Sequence, residues 1–196
     1  ADKLLGDPPL TMLLSAQAAQ LNGDEAAAKR YFNSMLKRPE TAFLGLRGLL
    51  MQAERDGDAV AALSYADRAK TLRPKTPWVL SKMFELQAQQ GQWQSALITL
   101  DQAIKANEVK IPYGKRQRPT VLLGCSIEAE KAGNRTAALS FAAKAQNEEP
   151  RNLPAIVRRV KLMNEEEKAR GLQKLIKAAW LHSPHPALAK GYAACV

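Results

Sequence analysis

The sequence predicts an all-α fold, a right-handed solenoid of about five helix pairs with flanking helices. Three observations predict it. Gly23-Asp24, Gly57-Asp58 and Gly91 stand 34 residues apart, and Gly133 follows after 42. Small or apolar residues then hold fixed offsets from each glycine: Ala28, Ala62, Ala96 and Ala138 lie five places on, and Phe32, Ala66, Leu100 and Ala142 nine. Pro74 and Pro150 close their copies seventeen places after the glycine, and Pro39 comes one place early.

A 34-residue period built of two helices, a turn glycine and a closing proline is the signature of the tetratricopeptide repeat. Each position has a physical reason. The glycine ends one helix in a conformation that costs other residues more. The alanines sit where two helices approach closely. The residue nine places on lies on the same buried stripe, because helical faces recur about every 3.6 residues. The proline cannot continue the second helix and pushes its predecessor out of the helical region. A weaker fifth copy keeps Leu172, Ile176, Ala179 and Pro184 at the same offsets from Glu167. The spacing therefore predicts pairs over residues 8–38, 39–74, 75–107, 116–150 and 151–184, a partial helix over 185–196, and one domain over 1–196.

Pro8-Pro9 starts the first helix at a permitted position, and Leu10, Leu13, Leu14, Ala18 and Leu21 lie mostly on one of its faces. Asp24 is a natural cap for the helix that follows. The second pair runs through Phe43, Leu46, Leu49 and Leu50, turns at Gly57-Asp58, and returns from Ala62 to Leu72. Gly45 and Gly48 inside its first helix cost roughly 1 kcal/mol each relative to alanine, so close packing or a groove surface is expected there. Thr76-Pro77 opens the third pair. Trp93, just after the turn, reads as packing, whereas Trp78 stands between core and groove. Residues 107–118 hold the eight extra residues, with Lys110, Lys115, Arg116 and Arg118, as a basic loop or an extended start to the next helix. The fourth pair is expected over about 119–131 and 135–147, and the fifth over about 153–163 and 168–182.

The chain carries 46% hydrophobic residues, a net charge of +10 and a sequence pI of about 9.8. Such a charge suits nucleic acid, an anionic membrane surface or acidic partners, and does not choose among them. No run approaches the roughly 18 apolar residues of a membrane span, and no signal peptide is visible. Both ends look cut, so a fragment of a longer protein is expected. Cys125 and Cys195 are too few and too far apart for a disulfide framework or a metal site, and Cys125 reads as a small core residue. No phosphate-cradling loop, dinucleotide fingerprint or nucleophile elbow occurs. No catalytic residues and no metal ligands are assigned, and the chain is not expected to be an enzyme.

Beyond the repeat, three runs resemble one family: Leu4-Leu-Gly-Asp-Pro-Pro-Leu-Thr-Met through Leu21, Arg38-Pro-Glu-Thr-Ala-Phe-Leu-Gly-Leu-Arg-Gly-Leu50, and residues 69–79 ending Arg-Pro-Lys-Thr-Pro-Trp-Val. They are similar to the C-terminal region of proteobacterial HemY proteins, most clearly over residues 1–105. The resemblance implies a repeat protein of haem biosynthesis, held at the inner membrane by an N-terminal segment absent here, with its repeats on the cytoplasmic side. It implies a role in organising or regulating late porphyrin synthesis without catalysis. A flavin-dependent porphyrinogen oxidase shares the name, and its dinucleotide fingerprint is missing from this chain.

The first expectation is an interaction scaffold. First helices of successive pairs line a concave groove in such solenoids, and by repeat position Gln17, Arg47, Met51, Trp78, Glu85, Glu130 and Lys161 face it. A partner helix or extended peptide would lie there, with enzymes of the haem pathway as the implied partners. The alternative is direct binding of haem or porphyrin, with His182 or His185 as iron ligand and basic side chains on the propionates. No other cofactor is expected. A weaker alternative is nucleic acid on the basic C-terminal half, which lacks interleaved aromatics. An anionic membrane surface would also suit a basic face.

Overall fold

The computed structural model describes residues 9–106, 111–163 and 171–194, except the side chains of 111–113 and 115. These residues form helices joined by short turns, with no strand among them. They fall into two compact units, divided between Gln90 and Gly91.

The first unit holds α1 (Pro9–Leu21), α2 (Glu25–Met35), α3 (Pro39–Arg55), α4 (Ala59–Leu72) and α5 (Pro77–Gln89). Each helix packs on the one before it. Two of the turns, at Gly23 and Gly57, place glycine at φ 74° and 73°. That is the left-handed region, where a Cβ would crowd the following carbonyl. The aspartate after each glycine then caps the next helix: the Ala27 and Ala61 amides donate to Asp24 and Asp58 at 2.8 and 2.9 Å. Thr76 precedes α5 without a side-chain cap bond.

Close approach explains the internal glycines of α3. A Cβ on Gly45 would sit 2.7 Å from the Phe32 carbonyl oxygen, and one on Gly48 would sit 2.3 Å from the Phe32 ring. Phe32 itself is buried with Met12, Ala16, Ala28 and Leu49. In α1 the packed face differs from the apolar stripe in its sequence. Met12, Ala16 and Ala19 are buried, while Leu10, Leu14, Ala18 and Leu21 are exposed. Ala16 and Ala19 let α2 come close, and Leu10, Leu14 and Leu21 are left outside, whereas Leu13 of that stripe is half-buried against the Phe32 cluster.

The second unit holds α6 (Trp93–Lys105), α7 (Ile111–Lys131), α8 (Arg135–Glu148), α9 (Leu153–Leu162), α10 (Gln173–Trp180) and α11 (Pro186–Ala193). Its Gly133 turn repeats the pattern, with φ 76° and Asn134 accepting from the Ala137 amide at 2.9 Å. Trp93 is a packing residue: a Cβ on Gly124 would fall 2.1 Å from its ring. Cys125 is fully buried as expected.

The extra residues lengthen α7 at its N-terminal side, so the fourth pair begins before residue 116 and Pro119 lies inside the helix rather than opening it. An interior proline lacks the helical N–H and normally breaks the helix. Here Arg118 ties this stretch down, bonding Asp101 of α6 at 2.8 Å and pairing with Glu148 of α8. In the fifth pair α9 ends at Leu162 and α10 covers Gln173–Trp180. Lys110, Glu167 and the expected start at Lys168 lie outside the described residues, as does Cys195. The architecture is an α-solenoid repeat of tetratricopeptide type, read from these paired helices and their turns.

Candidate functional site

The repeat brings equivalent residues of successive first helices to one face of the first unit. Leu10, Leu44 and Trp78 share one offset, and Gln17, Met51 and Glu85 share another. Leu10, Leu44 and Met51 remain 65%, 40% and 47% exposed. Arg47 is exposed one helical turn from each of Leu44 and Met51, so the three form one stripe along α3.

Trp78 is half-buried and packs within the first unit. Its ring packs on buried Phe43, with centroids 5.5 Å apart and planes 55° apart. The Arg47 guanidinium carbon lies 5.4 Å from the Trp78 centroid. On Phe43 lies a second guanidinium, that of Arg73, at 4.5 Å. Arg73 and Phe43 were not marked by repeat position, since Phe43 reads as core and Arg73 as the end of a helix. The available signal was composition: an aromatic at the start of each of α3 and α5, with arginines nearby.

Glu85 belongs to a separate network. Lys82 bonds Glu85 at 2.9 Å and Glu54 at 3.1 Å. The Glu85 hydrogen bond chiefly holds the Lys82 ammonium above the usual lysine range, with Glu54 adding to it and burial opposing both. Arg55 pairs with Glu25 at 3.1 Å. Gln17 is exposed on α1.

Glu130 and Lys161 meet in the second unit. Glu130 accepts from Arg158 at 2.6 Å and lies 3.5 Å from Lys161. Arg158 is a further residue that repeat position did not mark. It also donates to the Ser126 hydroxyl and carbonyl at 3.0 and 2.9 Å, so it locks α9 onto α7. The Arg158 hydrogen bond is the main cause holding the Glu130 carboxyl below the usual range.

The histidines occupy different places. The His185 Nδ1 accepts from the Ala187 amide at 3.2 Å and caps α11. His182 lines a cleft of about 270 Å³ with Arg151 and Leu175. A larger apolar cleft, about 600 Å³, runs between α10 and α11 beside Trp180, Leu188 and Tyr192, and neither histidine lines it. Burial raises the Cys125 thiol to about 11, which keeps it protonated and unreactive. Among the described residues no three His, Cys, Asp or Glu side chains gather as a metal site. No described helix is long and apolar enough to cross a membrane.

No family model and no curated protein matches the chain. Solved structures do. A tetratricopeptide repeat protein from Parabacteroides merdae is 18% identical over 94% of this chain and 71% of that one, at a TM-score of 0.47. MamA protein is 17% identical over 88% and 90%, at 0.48. MamA from Desulfovibrio magneticus RS-1 is 15% identical over 96% and 93%, at 0.46. The architecture of this chain rests on its own helices, turns and packing.

Proposed function

We propose that the chain is a non-catalytic scaffold that captures a protein segment on the first-helix face of its first unit. The observation that carries this reading is the stripe Leu44, Arg47 and Met51 beside Trp78. Tryptophan, arginine and methionine grouped on one face are residue types enriched at protein interfaces. In a monomer the same apolar surface would be a liability.

The finer reading rests on the resemblance to HemY proteins. The captured segment then belongs to an enzyme of porphyrin synthesis, and the chain organises or regulates that pathway at the inner membrane, its repeats on the cytoplasmic side. The basic charge favours an anionic surface nearby. The test is affinity capture from a membrane extract of the source cell, with mass spectrometry of the eluate. Haem-pathway enzymes are expected, and Arg47→Ala with Trp78→Ala should weaken their retention while the helical signal stays intact. Equal retention by that variant would overturn the assignment of the face. An eluate that lacks those enzymes but carries porphyrin would replace the scaffold with a carrier.

A further inference from the structure

Several charged side chains stand around this face. Arg55 and Lys82 are already neutralised by Glu25, Glu54 and Glu85. Arg47 and Arg73 are not: each lies over an aromatic ring, and neither has a carboxylate within ion-pair distance among the described residues. The two rings touch each other, so the four residues form one continuous row, Arg47–Trp78–Phe43–Arg73.

Each guanidinium lies within cation–π distance of its ring, both arginines are exposed, and neither guanidinium has a hydrogen-bond acceptor among the described residues. The ring also holds the guanidinium in place, so less rotamer freedom is lost when a ligand arrives. The forked N–H donors of an exposed guanidinium match the two oxygens of a carboxylate. We propose that this row is a carboxylate-reading site, and that the segment captured on the first-helix face is acidic and leucine-bearing. This deepens the scaffold reading and rests on it. Acidic side chains of the partner pair with Arg47 and Arg73, while its aliphatic side chains cover Leu44 and Met51. Single-stranded nucleic acid also offers anions and flat rings. It would use several exposed aromatic platforms, whereas the exposed neighbours here are aliphatic.

The test uses the whole chain and three labelled helical peptides with identical leucines and with Glu, Gln or Lys at the remaining exposed positions, plus oligouridylate. Binding is read by fluorescence anisotropy. The native chain is expected to prefer the Glu peptide over the Gln peptide by about tenfold, the effect of roughly one charge-assisted pair. Arg47→Gln with Arg73→Gln should abolish that preference and leave the unfolding midpoint near native. If the glutamine pair fails to fold, the lysine pair keeps both charges without the forked donors and should retain only part of the preference. Equal binding of Glu and Gln peptides, both weakened by Leu44→Ser with Met51→Ser, would overturn the carboxylate site and leave the docking face standing. If neither pair of substitutions changes peptide binding, the docking face itself fails. Absence of Glu-peptide binding, or tighter arginine-dependent binding of oligouridylate, also overturns the proposal.

Discussion

Gly48→Ala tests the packing that positions the proposed docking face. Alanine is the better helix former by about 1 kcal/mol, so an open site would gain stability. Here the new methyl would lie 2.3, 2.4 and 2.5 Å from three carbons of the Phe32 ring. Such distances are far inside van der Waals contact, and Phe32 is only 3% exposed and walled by α1 and α3 side chains. Overpacking of this kind costs about 1–3 kcal/mol. With three ring atoms overlapped, the upper part of that range applies, and the net expectation is a loss of about 1–2 kcal/mol. Urea unfolding followed by circular dichroism gives the value. Phe32→Leu removes part of the overlapping ring, so it should cost less in the Gly48→Ala background than in the native chain, a coupling of about 1 kcal/mol or more. A Gly48→Ala chain as stable as the native one, or additive effects of the two substitutions, would refute this account.

Gly57→Ala should also destabilise, for a different reason. Its Cβ would meet open space, but the backbone stands at φ 73°, which costs a non-glycine residue about 1 kcal/mol. Gly57→Asn, a residue that tolerates this region, should lose less in the same urea experiment. The Glu130 carboxyl has a lowered folded-state value owing first to Arg158. Its contribution is therefore present above the unfolded carboxyl value, about 4.3, and is lost as pH falls through the lower folded one. The stability gap between the native chain and Glu130→Gln should narrow as the pH is lowered from neutral to about 3, and a gap independent of pH would show that the pair with Arg158 and Lys161 contributes nothing.

Much of the fold was legible in one dimension because its devices are local. A glycine at φ 73° followed by Asp58, whose side chain reaches the amide three residues on, needs only neighbouring residues to be recognised. The same holds at Gly23-Asp24 and Gly133-Asn134. The eight added residues were visible as a broken period, but two outcomes were open. The helical one is accompanied by Arg118 bonding to α6 and α8, partners 17 and 30 residues away. For the proposed docking face, repeat position picked out Arg47, Met51 and Trp78, and exposure recurs with the period at Gln17, Met51 and Glu85. It did not mark Arg73, whose role depends on a ring far away in sequence.

By itself the sequence determined the helix pairs, their turns and caps, and the positions where small residues permit close approach. These follow from propensity, periodicity and backbone sterics, which act over a few residues. Tertiary structure decided which side of α1 is buried, since apolar content is greater on the stripe that α2 leaves outside. It also decided that Trp78 joins Phe43 and that Arg47 and Arg73 flank them. Those contacts join residues 30 or more positions apart, or depend on how α3, α4 and α5 pack, and no local rule ranks them.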